Sequence, residues 1–458
     1  MRYTDFVLCA TEPHIVKSEG KKRLTFNLLV PGVVDNPRAC ELDVRSIDEL
    51  KEKASIADAD WKDVLMLGEA LAAVLLPPDV WHVLNNRITQ ATAAKEGIRV
   101  RLMLSGSELN NWPWEFILFN RAGGENKVSD FLALMPNISV VRHTATALPA
   151  WRVEAKAPLK IALAIASPSG WPKLKVTDER IIIVKALERN SRMTFDSVEH
   201  AHISQLPDKM SPAHVFHFAG HGQFQLAQSP VPGANEGKAS IILEDDYGDA
   251  DALDAELLAV RLRDAGVRVA VLGACQTAQR DDIGAWSSVA EALLKAELGA
   301  VVGMQFPVQD TSAVSFSQHF YESLSAGLSI DEAVAAGRVA VAVSKDPRGW
   351  ATPVLYLRSP DGVVFSEFAS DPTLETARQA MVKAYQRIET LKGKAITAKI
   401  GHVAPGASVE ATQTIGNVEK DAEATVLEIE TVGGSVDSRQ EIKDVKGKVT
   451  GGSIRKLG

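Results

Sequence analysis

Two largely apolar stretches, each ending in a glycine-containing turn, constrain the fold of this chain more than any other feature. Residues 215–219 read VFHFA and lead into the turn 220–222, and residues 267–272 read VRVAVL and lead into the turn 273–275. Runs of this kind bounded by glycine are typical of central strands buried on both faces. If the two strands are parallel neighbours, their turns lie together at one edge of the sheet, where open α/β sheets bind ligands.

Each turn carries one reactive side chain, His221 in the first and Cys275 in the second. A cysteine attacks a carbonyl group as the thiolate, and a histidine can remove the thiol proton and later return it to the leaving group. Gly222 has no side chain, so its backbone N–H could approach a substrate carbonyl and form an oxyanion hole with the backbone N–H of Cys275. The residues alone leave a second interpretation open, in which His221 is a buried structural histidine and Cys275 is an ordinary core thiol.

Residues beside the two turns would line a substrate cleft if the turns form an active site. Two acidic residues of this set, Asp281 and Asp282, could hold a basic substrate side chain, or they could simply begin the next helix as favourable N-terminal acids. The candidate cleft residues are Gly220, Gly273, Ala274, Gln276, Asp281 and Asp282.

Around the two turns the sequence resembles the CHAT domain, a family of caspase-like peptidases in the wider caspase and separase clan. The resemblance rests on the motifs HFAGHG at 217–222 and VLGACQTA at 271–278, and it spans residues 90–365. Further matching segments follow in the order expected of the family, at residues 111–118, 131–142, 240–243, 253–258 and 296–310.

The resemblance implies a cysteine endopeptidase with a caspase-like α/β fold, in which His221 is the base and Cys275 the nucleophile. The expected fold is a doubly wound, mostly parallel sheet with helices on both faces, which the alternation of strand-like and helix-like segments also favours. The N-terminal, pseudo-caspase-like half is expected at 1–150 and the catalytic half at 151–368. In related families the residue two before the cysteine helps to line the first substrate pocket. Here it is Gly273, which predicts neither an arginine-seeking nor an aspartate-seeking pocket, and no third catalytic side chain stands out.

The composition narrows the classes of partner and compartment. The formal net charge of −8 argues against nucleic acid as the main partner, because phosphate binding requires a basic face. No run approaches the ~18 uninterrupted apolar residues that span a bilayer, and the first residues lack the apolar stretch of a secretory signal. Three cysteines are too few for a disulfide framework and suit a reducing cytosol. We therefore expect a cytoplasmic protein without a transmembrane segment.

Several histidines near the first turn raise the question of a metal site. His214 and His217 lie on opposite faces of a strand, and no cysteine or carboxylate lies at zinc-ligand spacing from them. We therefore expect no metal and no other cofactor. His217 is expected to pack beneath the site or to orient the turn.

The C-terminal part of the chain contains a repeat. Residues 409–420 read VEATQTIGNVEK and residues 436–447 read VDSRQEIKDVKG, an offset of 27 residues that aligns two valines, a glutamine and an isoleucine. This pattern predicts short β segments that stack in register, within one chain or between copies. It resembles the paired, prion-like β-solenoid signalling motifs at the ends of some immune effectors and their receptors. A flexible charged tail and a small autonomous β-solenoid remain as alternatives.

We predict an amphipathic linker helix at 369–395 and a β-repeat tail at 396–458 that serves assembly or recruitment. The leading hypothesis is a peptidase that cleaves a protein partner, such as a pore-forming effector, after an upstream receptor or activator recruits or clusters the tail. The resemblance places such proteins in bacterial defence or regulated cell death. The alternative is a catalytically silent caspase-like scaffold or adaptor that assembles through its repeats, and a third hypothesis is a different cysteine hydrolase such as an amidase.

Overall fold

The chain divides into two compact units, Met1–Ala369 and Ser370–Gly458. The computed structural model describes most residues of both units. The described residues are 2–18, 21–56, 59–120, 124–135, 137–143, 158–172, 180–181, 183–185, 192–206, 212–226, 237–273, 282–306, 310–325, 327–342, 346–359, 362–365, 381–391, 394–403, 408–418, 423–432, 435–445, 448–450 and 453–457.

The described part of unit 1 contains a sheet of eleven strands and a smaller sheet of three, β9 to β11. In chain order the strands are β1 (Tyr3–Ser18), β2 (Lys21–Val30), β3 (Val34–Asp43), β4 (Gly97–Leu104), β5 (Ile138–Arg142), β6 (Leu159–Ile165), β7 (Met193–Val198), β8 (Val215–Ala219), β9 (His221–Leu226), β10 (Gly237–Glu244), β11 (Ala250–Asp254), β12 (Val269–Gly273), β13 (Ala300–Met304) and β14 (Pro353–Leu357).

Helices connect many of these strands. The described helices are α1 (Val44–Ser55), α2 (Trp61–Leu75), α3 (Pro78–Ala93), α4 (Gly106–Asn110), α5 (Ala255–Asp264), α6 (Asp282–Lys295), α7 (Asp310–Ser325) and α8 (Ile330–Ala342), with short 3-10 turns at Trp114–Phe116, Val128–Asp130, Leu132–Leu134 and Gly349–Ala351. Among the described residues no single helix is long and apolar enough to cross a membrane, and the pair α2 and α3 reaches such a length only with a bend of 101° between them.

The large sheet is mostly parallel, as the sequence predicts. Its strand order is β3-β2-β1-β4-β5-β14-β13-β12-β8-β6-β7. The pairs β1–β4, β4–β5, β5–β14, β13–β12, β12–β8, β8–β6 and β6–β7 are parallel, whereas β1–β2, β2–β3 and β13–β14 are antiparallel. The sheet runs from the predicted N-terminal half into the predicted catalytic half through β5 and β14. The predicted boundary near residue 150 itself lies outside the described residues.

Helices cover both faces of this sheet, which confirms the predicted layering. On β12, Val269 and Val271 join an apolar cluster with residues of α2, α3, α7 and α8, whereas Ala270 and Leu272 join a second cluster with residues of α5 and α6. Because successive strand residues point to opposite faces, a continuously apolar strand contributes to both clusters. The central strands are therefore buried on both sides, and only their ends can form a site.

The described part of unit 2 consists of two sheets of parallel strands. Its strands are β15 (Met381–Leu391), β16 (Lys394–Val403), β17 (Ser408–Val418), β18 (Glu423–Val432), β19 (Ser435–Val445), β20 (Lys448–Thr450) and β21 (Ser453–Leu457). One sheet has the order β15-β17-β19 and the other β16-β18-β20, with β21 also paired to β18. From β15 to β20 consecutive strands alternate between the two sheets. β17 pairs with β19 at the offset of the sequence repeat.

The predicted linker helix at 369–395 is wrong where the structure describes it, because residues 381–391 form the strand β15. This strand pairs with β17 at the repeat offset, with Val382 opposite Val409 and Gln386 opposite Gln413. The segment is thus a further copy of the repeat, in a place where a helix was predicted. Intrinsic helix propensity determines secondary structure only weakly, so pairing with a neighbouring strand outweighs the helical preference of this segment.

Candidate active site

Three adjacent parallel strands end at the same level of the large sheet. The last residue of β8, Ala219, pairs with the last residue of β12, Gly273, and also with Ile165, the last residue of β6. The backbone N–H of Gly220 donates to the carbonyl oxygen of Gly273 at 3.3 Å, and the N–H of Ala166 donates to the carbonyl oxygen of Ala219 at 3.0 Å. The segments that follow β6, β8 and β12 therefore all begin at one edge, as predicted for a site at the carboxyl ends of the strands.

The structure brings Gly220, His221, Gly222 and Gly273 together at this edge. The other predicted residues of the second turn, Ala274, Cys275, Gln276 and Asp281, lie outside the described residues. Asp282 is the first residue of α6, in agreement with its interpretation as a helix start. The roles assigned to these residues remain predictions.

His221 is buried and has one carbonyl partner. The residue is 5% exposed, and its Nε2 lies 2.9 Å from the carbonyl oxygen of Pro172. A carbonyl oxygen only accepts hydrogen bonds, so Nε2 must carry the proton, and the lone pair of the neutral ring lies on Nδ1. The imidazole is therefore held in the tautomer that can act as a base through Nδ1.

The surroundings of His221 favour its neutral form. Burial lowers the pKa of His221 below its ordinary value, and the hydrogen bond to Pro172 acts in the opposite direction. The ring of Trp171 contributes to this burial, with its centroid 5.0 Å from that of the imidazole and the planes inclined by 45°. At neutral pH the ring is thus an uncharged base, which is the state needed to accept a proton.

The segment 166–172, which follows β6 and carries Trp171 and Pro172, belongs to the site although the sequence motifs did not reveal it. No catalytic group beyond the histidine and the cysteine was predicted, because a backbone carbonyl leaves no side-chain signal. The available signal was positional, since 166–172 follows a buried strand next to β8 and so must begin at the same edge.

Glu244, at the end of β10, holds this segment in place. Its carboxylate is buried; Oε1 accepts the backbone N–H of Ser167 at 2.7 Å, and Oε2 lies 2.8 Å from Nδ1 of His200. The backbone N–H of Ser169 also donates to the carbonyl oxygen of Gly248 at 2.8 Å, in the turn between β10 and β11. The hairpin of β10 and β11 therefore supports the carbonyl that orients His221.

Gly220 fills a position that leaves no room for a side chain. A Cβ atom there would lie 2.3 Å from Cζ of Phe218, which is fully buried between the sheet and its helices. After Gly220 the chain continues directly into β9, in which His221 pairs with Ile242 and Gly222 with Ile241 of β10. Both the ring packing and this ladder fix the backbone on either side of His221.

His217 lies on the face of β8 opposite to Phe218. It is 1% exposed, and its Nδ1 lies 2.7 Å from the hydroxyl oxygen of Tyr321 on α7. His217 therefore packs against α7, and its predicted role, to pack beneath the site or to orient the turn, stays a prediction. His214 accepts the backbone N–H of Lys160 through Nδ1 at 2.9 Å, and burial lowers its pKa. In the described part of the chain, no group of three or more histidine, cysteine, aspartate or glutamate residues is arranged to hold a metal ion.

No curated protein matches the sequence. Solved structures similar to the chain include the complex of the Porphyromonas gingivalis RgpB pro- and mature domains and the Saccharomyces cerevisiae separase–securin complex. The first has 10% identity over 71% of this chain and 78% of that chain, with a TM-score of 0.39. The second has 14% identity over 69% of this chain and only 20% of that chain, with a TM-score of 0.32.

The family model that matches is the CHAT domain, over residues 65–358. This match covers more than half of the chain, and it includes the strands β4 to β14 that build the candidate site. It confirms the resemblance that the two turn motifs indicate. The chain therefore belongs to the CHAT domain family.

Proposed function

We propose that the chain is a cysteine endopeptidase that cleaves a protein partner with His221 and Cys275 as its catalytic pair. The observation that carries the proposal is the pairing of Ala219 with Gly273. His221 lies two residues beyond Ala219, and Cys275 lies two residues beyond Gly273. The two residues thus follow the ends of neighbouring parallel strands at the same spacing in the sequence, which supports the proposal that they lie within reach of each other.

In the proposed reaction, Nδ1 of His221 accepts the thiol proton of Cys275, and the thiolate adds to the carbonyl carbon of the substrate. The carbonyl electron pair moves to the oxygen, where the backbone N–H groups of Gly222 and Cys275 stabilise the oxyanion. When the tetrahedral intermediate collapses, the C–N bond breaks and His221 returns the proton to the leaving amine. His221 then takes a proton from water, which hydrolyses the thioester and regenerates the thiol.

Pro172 has a supporting role in this reaction. Its carbonyl oxygen accepts the Nε2 proton of His221, so it keeps Nδ1 available and stabilises the imidazolium that forms in the first step. The proposed site is therefore a dyad whose histidine is oriented by a backbone carbonyl rather than by a third side chain. We propose that the candidate cleft residues named from the sequence border this dyad.

The partners are part of the proposal. We infer that the substrate is a protein, such as a pore-forming effector, and that residues 396–458 recruit the enzyme to an upstream receptor or activator, or cluster it. Clustering raises the local concentration of enzyme and substrate without any new contact in the site. The family resemblance supports a role in bacterial defence or regulated cell death in the cytoplasm.

Cleavage of a diverse peptide library by the full chain, read by mass spectrometry, tests the proposal. We expect defined products that disappear with Cys275→Ala and remain with Cys40→Ala, a matched control because Cys40 is a half-buried thiol on β3. Products that persist with Cys275→Ala would refute the role of Cys275. If the chain yields no products even when the tail is clustered artificially, the scaffold hypothesis replaces the peptidase, and turnover of small amides alone would indicate an amidase.

A further inference from the structure

We propose that unit 2 stacks end to end on unit 2 of a second copy, with β19 of one copy pairing in parallel with β15 of the next. Within the described residues, β15 and β19 each pair with β17 and form the two outer strands of their sheet. Outer strands offer a row of backbone groups to a further strand. The same register that joins β15 to β17 and β17 to β19 would then continue across the two copies.

The register places charged residues of opposite sign on the two outer strands. Counted from the first residue of each strand, the seventh position holds Arg387 in β15, Thr414 in β17 and Glu441 in β19. The middle residue is uncharged, so neither the arginine nor the glutamate has a charged residue at this position on the adjacent strand of its own copy. Stacking β19 of one copy on β15 of the next brings a glutamate position next to an arginine position.

The ninth position shows the same arrangement with the signs reversed. It holds Glu389 in β15, Gly416 in β17 and Lys443 in β19. The middle residue is again uncharged, so at this position opposite charges lie on adjacent strands between two copies and not within one copy. Because opposite charges at directly paired positions stabilise a sheet and like charges destabilise it, these two positions favour β19 next to β15.

Two further positions of the first sheet are compatible with this stacking, and one position of the second sheet opposes it. The third holds Lys383 in β15 and Asp437 in β19, again of opposite sign, and the sixth holds glutamine in both strands. Identical amides at one position of stacked parallel strands form ladders. In the second sheet, Lys394 of β16 and Lys448 of β20 occupy the same position and have the same sign. This one position opposes the stacking, against three that favour it.

The charges also disfavour the in-register parallel pairing of like ends. If β15 of one copy paired in register with β15 of another, arginine would meet arginine at the seventh position and glutamate would meet glutamate at the ninth. The same conflict arises for β19 with β19. Among these in-register parallel pairings, the end-to-end arrangement is the complementary one. It repeats at each new copy, so it produces an open chain of copies rather than a closed dimer.

This inference rests on the clustering part of the proposed function and deepens it, because it names a second copy as the partner of the tail. It does not depend on peptide cleavage. The assembly is measured in the Cys275→Ala chain, so that self-cleavage cannot change particle size and failure of the peptidase proposal leaves the result intact.

Two charge-swapped variants of the full chain test the inference by sedimentation velocity over a range of concentrations. The first carries Arg387→Glu with Glu389→Lys, and the second carries Glu441→Lys with Lys443→Glu; neither swap changes the net charge. We expect the parent chain to form particles that grow with concentration. Each swap alone should raise the concentration required by about tenfold or more, because two attractive positions become repulsive.

An equal mixture of the two variants decides the question. In the mixture each outer strand again meets a complementary one, so assembly should return to the parental concentration range. Swapping the exposed pair of α1, with Arg45→Glu and Glu49→Arg, is a matched control that should leave assembly unchanged. A parent chain that stays monomeric, variants that assemble like the parent, or a mixture that does not recover would each overturn the inference.

Discussion

The imidazole of His221 donates its Nε2 proton to the carbonyl oxygen of Pro172, 2.9 Å away. This hydrogen bond joins the turn after β8 to the segment after β6, and it decides which ring nitrogen is available for chemistry. In the proposed mechanism that nitrogen, Nδ1, accepts the thiol proton of Cys275, which follows β12 in the sequence. In this proposal the carboxyl ends of three neighbouring strands contribute an orienting carbonyl, a base and a nucleophile.

The pKa of His221 should lie below the ordinary value of 6.5 because the ring is buried. A histidine whose pKa is lower in the folded than in the unfolded chain contributes stability above the unfolded pKa and loses it as the pH falls. We therefore expect the free energy of unfolding to decrease below pH 6.5. A ring-proton NMR titration measures the pKa of His221 directly. Trp171→Ala exposes the ring and should move its pKa upward, and a pKa at or above 6.5 in the parent chain would contradict the account.

Glu244→Ala should destabilise the segment that orients His221. The substitution leaves the backbone N–H of Ser167 without its buried acceptor, at a cost of about 1–3 kcal/mol in the free energy of unfolding. It should also lower kcat/KM for a library-derived peptide about tenfold to a hundredfold through misplacement of the base. Asp246→Ala is the matched control, because Asp246 is an exposed acid that faces His202. Equal effects of the two substitutions would show that Glu244 does not position the segment.

Gly220→Ala should cost about 1–3 kcal/mol of stability, because the new methyl group overlaps the ring of Phe218. Denaturant unfolding measures this cost. In a Phe218→Leu background the ring is absent, so the additional cost of Gly220→Ala should shrink even though Phe218→Leu is itself destabilising. If the cost is the same in both backgrounds, the close approach of Gly220 to Phe218 is not its cause.

The buried pair of Arg142 and Glu115 should contribute strongly to the junction of β5 with β14. Arg142 donates to the Glu115 carboxylate at 2.8 Å, and both residues are almost fully buried. Glu115→Ala leaves the guanidinium charge uncompensated and should cost about 3–5 kcal/mol in the free energy of unfolding. Replacing both residues with methionine should cost less than this single change. A loss below about 1 kcal/mol for Glu115→Ala would show that the pair is weak.

Much of the fold could be predicted because its central strands carry a local signal. The runs that correspond to β8 and β12 are largely apolar, a pattern typical of central strands in a covered parallel sheet. Gly220 and Gly273, which follow these runs in the sequence, indicated the edge of the sheet at which the site was expected. The outer strand β15 of unit 2 was harder to recognise, since its residues Met381–Leu391 are compatible with a helix until their pairing with β17 is considered.

Contacts between distant segments and backbone groups were not predictable from the chain alone. The carbonyl of Pro172 reaches His221 across 49 positions of sequence, and Glu244 reaches Ser167 across 77. The ion pair of Arg99 with Asp331 connects β4 to α8 across 232 positions. Nothing local in these residues specifies such partners, because a proline in a turn or an arginine in a strand has many possible surroundings.

The rate at which each thiol reacts with iodoacetamide at different pH values tests the pairing of His221 with Cys275 most directly. The chain provides its own controls, since burial raises the pKa of both Cys9 and Cys40. The account predicts that Cys275 reacts fastest at neutral pH and that His221→Ala removes this advantage while the other two thiols keep their rates. A Cys275 that reacts no faster than Cys9 and Cys40, or whose rate is unchanged by His221→Ala, would contradict it.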